Sequence, residues 1–349
     1  MNEIEVISEG YRELYGSAPD KIISLPRSGS DRRYFRIFNN CGTVIGAFNP
    51  NAEENEAFIG FTRHFISKKL PVPEVYGYFP EKQVYYLKDL GDCNFYTWYH
   101  TEIPLRGFSK ETEDLFHRII DKLILFQTDG IDGLDLDLCY PHKSFDRQSM
   151  MWDMNYFKYM FLKLVSVPFN EGRLERDFIN LSEYLLEAGQ EYFLYRDFQS
   201  ANFMIVEGDP WFIDYQGGRR GAPQYDVASF LYDGKIPLTP AFRNKILGYY
   251  IVNFCAKTGS DTGEFRNFFN GFSMIRLMQA LGSFGFRGLY EHKPTFADTI
   301  VPAAGLLQQV ITGENVIKLP ELYKAIFAIS GTDIFRNLEK NFTVGQGEY

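Results

Sequence analysis

The sequence is poor in the residues on which many binding proteins and enzymes depend. Its four cysteines, Cys41, Cys93, Cys139 and Cys255, lie far apart and form no C-x-x-C pair, so they read as reduced, structural thiols of a cytoplasmic protein. The five histidines are equally scattered and no H-E-x-x-H occurs, which argues against a zinc site. No G-x-x-x-x-G-K-[ST] is present, so the chain is not a P-loop enzyme. Basic residues do not dominate: 36 Lys and Arg face 45 Asp and Glu, for a net charge of −9. That balance argues against a nucleic-acid partner, which rewards clustered cations, but leaves nucleotide binding open because a nucleotide needs only a few local donors. No apolar stretch approaches the ~20 residues needed to span a bilayer, and the acidic, amphipathic start MNEIEVISEGYRELYG lacks the apolar core of a secretory signal. No membrane association is therefore expected. Internal repeats and low-complexity runs are also lacking.

Against these absences, aromatic residues are abundant, at 17% of the chain with 33 Phe and 23 Tyr. The hydrophobic fraction, 45% of 349 residues, is enough for a large core and points to two lobes.

The most informative stretch runs from Tyr192 to Asp226. An apolar run ends in Arg196-Asp197, Asn202 follows five residues on, and two short apolar segments around a Gly-Asp-Pro turn read as a β-hairpin that delivers Asp214. An Asp, an Asn and a second Asp thus each stand where a strand meets a loop. Phosphoryl transfer needs such a set: a carboxylate to accept the substrate hydroxyl proton, and an amide and a carboxylate to hold Mg²⁺ against phosphates. A lone D-x-x-x-x-N is more often a pair of turn caps. The hairpin, the second Asp and the later Gly-Ala-Pro-Gln-Tyr-Asp favour the chemical reading. The arrangement is close to the kinase pattern H-R-D-x-x-x-x-N, with Tyr195 at the His and Asp214-Tyr215-Gln216 at D-F-G.

Ahead of this stretch, Ile4–Tyr15 has helical spacing, and strands are expected at Lys21–Leu25, Tyr34–Phe38, Thr43–Phe48, Val75–Phe79 and Val84–Lys88. Ser28, Gly29 and Ser30 form a polar turn suited to covering nucleotide phosphates, although one glycine alone is equally an ordinary hairpin. Asn51 caps an acidic helix start whose Glu53, Glu54 and Glu56 either complement the helix dipole or supply a helix-borne glutamate to the site. At Asp89-Leu90-Gly91-Asp92 the pattern changes from strand to helix; a hinge is expected there, with Lys88, Asp89 and Leu90 offered to the nucleotide and a free backbone to adenine. The expected organisation is a nucleotide-binding lobe over residues 1–91 and a catalytic and substrate-binding lobe over 92–349. Beyond the hinge, helices are expected over Lys110–Gln127, Arg147–Val165, Glu171–Gly189, Tyr225–Asp233, Pro240–Lys257, Glu264–Tyr290, Thr295–Gly313 and Leu319–Ala328, with a frayed C-terminal dozen.

Taken together, these residues resemble the aminoglycoside phosphotransferase/choline kinase superfamily, and within it the bacterial N-acetylmuramate/N-acetylglucosamine anomeric kinases of cell-wall recycling. The local matches are Arg32–Arg36, Arg196–Asn202, Asp214-Tyr215-Gln216, Gly221–Asp226 and Gln279-Ala280-Leu281-Gly282. The resemblance implies an α+β, protein-kinase-like two-lobed fold, with a small antiparallel-sheet N-lobe and a larger, mostly helical C-lobe. It implies ATP and Mg²⁺ as cofactors, a small-molecule hydroxyl as acceptor, Asp197 as catalytic base, Asn202 and Asp214 as metal ligands, and Asp226 as a brace of the catalytic loop. Three departures stand out. Val44–Phe48 holds no lysine where kinases carry one for the phosphates, the catalytic loop has Gln199 and Ala201 where the subgroup favours His and Arg, and the glycine loop has a single glycine.

Arg32, Arg33 and Arg36 are the nearest cations to replace that lysine. Strand alternation sets Arg32 and Arg36 on one face and Arg33 on the other, and Arg33 is taken as the phosphate contact. Arg219 and Arg276 suit an anionic sugar. Two alternatives stay open: a kinase of an aminoglycoside, choline or homoserine-like amino alcohol, and a nucleotide-binding pseudokinase with a regulatory role. A protein kinase is disfavoured, because the twelve positions from Asp214 to Asp226 and the lack of A-P-E leave little room for a peptide-docking segment.

Overall fold

The computed structural model describes residues 2–26, 31–40, 42–313 and 317–346. The chain divides into two compact units, Met1–Lys143 with Ala201–Arg219, and Ser144–Ser200 with Arg220–Tyr349. The junction expected near Gly91 lies inside the first unit, because the segments on either side of it both pack there.

In the first unit, helix α1 (Glu3–Tyr15) starts from an Asn2 capping box and ends at Gly16 in the left-handed conformation. Strands β1 (Lys21–Ser24), β2 (Arg33–Asn39) and β3 (Gly42–Phe48) are followed by helix α2 (Ala52–Ser67), then β4 (Val75–Phe79) and β5 (Val84–Lys88). The strands form one antiparallel sheet in the order β1-β2-β3-β5-β4. Alternation along β2 and β5 sends Phe35, Ile37, Val84 and Tyr86 beneath Ile7 and Tyr11 of α1. Tyr86 also donates its hydroxyl to the Ile7 carbonyl at 2.6 Å.

Helix α2 carries the aromatic residues of a second core. Phe58 stacks on Tyr85 of β5, with ring centroids 5.1 Å apart, and lies nearly parallel to Tyr215 at 5.2 Å. Helix α3 (Phe95–Arg106) has an Asn94 cap, but its Pro104 and lack of an apolar stripe hide it from pattern reading. Helix α4 (Lys110–Thr128) completes this unit together with the hairpin Phe203–Val206/Asp209–Phe212. The hairpin turns at Glu207-Gly208, both with positive φ (54° and 88°), one residue earlier than the expected Gly-Asp-Pro turn. That conformation matches the twist of the flanking strands.

The second unit is helical: α5 (Arg147–Phe157), α6 (Glu171–Leu186), α7 (Gln224–Leu231), α8 (Pro240–Thr258), α9 (Thr262–Phe284), α10 (Pro294–Ala297), α11 (Ile300–Ile311), α12 (Pro320–Ala328) and α13 (Asp333–Gln346). The stretch expected to fray is thus helical to Gln346. Helix α9 lies at the centre and packs on α5, α7 and α11. The long helices expected from Arg147 and Glu264 each end in a widened π-type turn, Lys158–Leu162 and Gly285–Tyr290. The two turns meet at Gly285, where a β-carbon would stand 1.9 Å from the Met160 carbonyl oxygen. Only glycine permits that approach. Among the described residues, no helix is long and apolar enough to cross a membrane.

Gly285→Ala is expected to destabilise the protein by about 1–3 kcal/mol through overpacking against this backbone. A thermal melt should show a midpoint several degrees below wild type; an unchanged midpoint would contradict the close approach.

Candidate active site

The candidate residues fall in both units. In the first, the hairpin register pairs Phe203 with Phe212, and the Ile213 amide donates to the Asn202 carbonyl at 3.1 Å. The chain then turns through Asp214 at φ 69°, a conformation uncommon for a residue with a side chain. Asn202 Nδ2 donates to Asp214 Oδ2 at 3.3 Å, which brings the two expected metal ligands together. Gln216 Nε2 donates to Asp214 Oδ1 at 2.7 Å and approaches Glu54 Oε1 of α2 at 3.4 Å. The neighbouring Tyr215 is fully buried, stacked on Phe58 and hydrogen-bonded to Thr62 of α2, so the segment after Asp214 is anchored to that helix.

Arg33 is not where the phosphate contact was expected. It shares the face of β2 that Phe35 and Ile37 bury under α1, and its guanidinium lies 3.5 Å from Glu3 of that helix. Alternation does separate Arg33 from its neighbours, but the apolar residues on its face decide which way it points. Arg32, just ahead of β2, is the buried one, with 2% of its surface exposed. Its Nη2 lies 2.7 Å from Glu54 Oε1 and its Nη1 3.7 Å from Asp214 Oδ1. Arg36 instead clamps the β5–α3 connection, reaching Asp89 at 2.6 and 3.1 Å, Asp92 at 2.6 Å and the Gly91 carbonyl at 3.2 Å. Burial opposes ionisation of Asp89, but hydrogen bonds from Arg36, Gly91 and Thr43 outweigh it and hold its carboxyl below the usual range.

Within this unit a cavity of about 410 Å³ is lined by Tyr34, Ile45, Leu87, Leu90, Met204 and Ile213. Its size and apolar walls suit a purine-sized ligand. Lys88, Asp89 and Leu90 all border it. The Lys88 ammonium lies 4.5 Å from the Trp211 ring centroid. Ser28, Gly29 and Ser30 lie outside the described residues. Arg219 is buried and donates to the Gly217 and Tyr140 carbonyls at 3.0 and 3.3 Å.

In the second unit the loop that carries Asp197 is held by buried carboxylates. Asp226, fully buried on α7, accepts the Tyr195 and Arg196 amides at 2.7 and 3.0 Å. Asp233 accepts the Ser200 amide and hydroxyl at 3.0 and 2.6 Å. Arg196, at φ 79°, forms a two-pronged pair with Asp153 of α5 at 2.6 and 2.7 Å and donates to the Tyr225 hydroxyl. Between these fixed points Asp197 receives Gln199 Nε2 at 3.3 Å. Burial drives the Tyr225 hydroxyl well above the ordinary phenol range, against the opposing charges of Arg196 and Arg276. Arg276 on α9 is held by Ser229 at 2.8 Å and Gln279 at 2.6 Å, and borders a small recess with Gln199 and Asp233. Pattern reading missed Asp153 and Asp233, which act through backbone and guanidinium groups and belong to no short motif.

The chain belongs to the phosphotransferase enzyme family (APH), which matches residues 22–262. It is a phosphotransferase with the protein-kinase-like fold. An ADP-bound aminoglycoside phosphotransferase superposes with a TM-score of 0.57 at 16% identity, over 89% of this chain and 99% of the other. A choline kinase from Streptococcus pneumoniae superposes with a TM-score of 0.57 at 13% identity, over 88% and 97%. Among curated relatives, the N-acetylmuramate/N-acetylglucosamine kinase of Neisseria meningitidis serogroup B is 22% identical over 93% of this chain and 95% of its own. The Pseudomonas aeruginosa enzyme of the same name is also 22% identical, over 65% of this chain and 63% of its own length.

Asp226→Asn places an amide donor against one of two backbone donors and is expected to cost about 1–3 kcal/mol. Hydrogen exchange should lose protection at the Tyr195 and Arg196 amides; unchanged protection there would contradict the brace.

Proposed function

We propose that the protein is an ATP- and Mg²⁺-dependent cytoplasmic kinase that transfers the γ-phosphoryl group to a hydroxyl of a sugar or amino sugar. The observation that carries this reading is the Asn202–Asp214 pair at the hairpin's end, with Tyr215 locking its segment to α2. The donor set fits Mg²⁺: Asn202 brings an amide oxygen, Asp214 a carboxylate whose side chain is 40% exposed, and the two side chains stand within hydrogen-bond distance of one another. Hard oxygen ligands that leave room for phosphate oxygens suit that ion. When bound, Mg²⁺ offsets phosphate charge and orients the transferred group.

The remaining roles fall to the chain itself. Asp197 accepts the acceptor's hydroxyl proton, held in place by the loop's buried carboxylates. The cavity bordered by Lys88, Asp89 and Leu90 takes the adenine. Arg276 faces the acceptor, where a fixed cation favours an anionic sugar. The two curated relatives are named for N-acetylmuramate and N-acetylglucosamine, which makes the anomeric hydroxyl of these sugars the first candidate. The intact Asp197, Asn202 and Asp214 support catalysis over a pseudokinase role.

An ATP-consumption screen over amino sugars, aminoglycosides, choline and homoserine tests this reading. Turnover is expected with N-acetylmuramate or N-acetylglucosamine and only with Mg²⁺. Asp197→Asn should lower it by ~10²–10⁴ while ATP still binds. Wild-type turnover in that variant, or acceptance only of cationic alcohols, would overturn the assignment. Thermal stabilisation by ATP should be enhanced by Mg²⁺ in the wild type and lose that enhancement in Asp214→Ala. An equal response in the variant would point to metal-independent binding.

A further inference from the structure

Strand β3 carries Thr43, Val44, Ile45, Gly46, Ala47 and Phe48 and so supplies no cation. A positive charge is nevertheless built into this unit, at Arg32. Its guanidinium is almost wholly enclosed, touching Glu54 of α2 on one side and approaching Asp214 on the other. The Tyr34 hydroxyl accepts its Nη1 at 3.1 Å, and the Phe58 ring lies 5.9 Å from its Cζ. The pairing is not a saturated structural one. Among the described residues Nε has no hydrogen-bond partner, and Nη2 is close to Glu54 without hydrogen-bond alignment.

A guanidinium keeps its charge under all ordinary conditions. Asp214 therefore always has a cation beside it. Such a cation favours phosphate and disfavours a bare divalent ion at the same carboxylate.

We propose that Arg32 is a positioning residue that replaces the strand lysine and biases the Asn202–Asp214 site toward a metal–nucleotide complex and against free Mg²⁺. This rests on the nucleotide-binding reading above. It adds a sign rule: Arg32 helps the anion and opposes the cation, so the metal enters with its nucleotide rather than before it. Glu54 partly offsets the guanidinium and, through Gln216, ties α2 to the same carboxylate.

Calorimetric titrations of the full-length protein test the rule with ATP alone, with Mn²⁺ alone as the metal probe, and with Mg²⁺ and ATP together. Arg32→Met should weaken metal-free ATP binding and strengthen Mn²⁺ binding, each by roughly tenfold given a full charge about 4 Å from a half-exposed carboxylate. Arg32→Lys should restore both toward wild type. If Arg32→Met does not fold, Arg32→Met/Glu54→Gln removes both charges without stranding Glu54 and should shift the two affinities in the same opposed directions. Parallel losses of both ligands, or no change in either, would overturn the proposal. Wild-type protein that binds neither ATP nor Mg²⁺–ATP would instead overturn the nucleotide-binding reading.

Discussion

A buried guanidinium cannot shed its proton, so the protein around it must supply negative charge. Arg32 imposes that condition on the first unit. Glu54 comes from the first turn of α2, where Asn51 caps the helix and Asn49 donates to the other carboxylate oxygen at 2.8 Å. Asp214 comes from the end of the hairpin, and Gln216 spans the two carboxylates. Three segments distant in sequence are thereby held to one charge balance. Isolated buried ion pairs contribute little net stability, because desolvation offsets attraction. The value of this one lies in position: it fixes where the carboxylate of the site can be. The Tyr85–Phe58–Tyr215 stack supplies the apolar half of the same constraint, fastening the residue after Asp214 to the residue row that follows Glu54 on α2.

The second unit solves a similar problem with the signs reversed. Backbone amides of the loop that follows Leu194 are taken up by buried carboxylates: Asp226 at one end and Asp233 at the other. Asp153 and Arg196 neutralise one another within the same core, with Phe145 and Tyr225 against the guanidinium faces at 5.0 and 5.2 Å. Asp197 is thus carried on a loop whose ends cannot drift. Stability and site geometry draw on the same hydrogen bonds here, so substitutions at Asp153, Asp226 or Asp233 act on both.

Much of this was legible in the sequence. The Asn51 cap, the helical spacing of Ile4–Tyr15 and the two apolar segments of the hairpin have local causes, and they located those elements closely. Asp197, Asn202 and Asp214 stood out as candidates by their spacing and Asp226 by the family resemblance; the structure sets Asn202 beside Asp214 and Asp226 against the Tyr195 and Arg196 amides. What spacing could not reveal was direction. Arg32 and Arg33 are adjacent, and only the packing of Phe35 and Ile37 under α1 shows that Arg33 turns to Glu3 while Arg32 turns to Glu54. Nor could it reveal partners brought from afar, such as Asp153 for Arg196. Helix α3 escaped because aromatic residues and Pro104 blur its period, and the π-type turns escaped because their cause is the tertiary contact of Gly285 with Met160.

The family and the fold establish a small-molecule phosphotransferase, and the proposed acceptors are the amino sugars for which the curated relatives are named. Phosphorus NMR of the protein with Mg²⁺, ATP and N-acetylmuramate or N-acetylglucosamine tests that claim most directly, because it identifies the product rather than the loss of ATP. The expected result is growth of a phosphomonoester signal coupled to the anomeric proton, in step with ADP. Inorganic phosphate as the sole new signal, or an unchanged ATP spectrum with every acceptor offered, would contradict it.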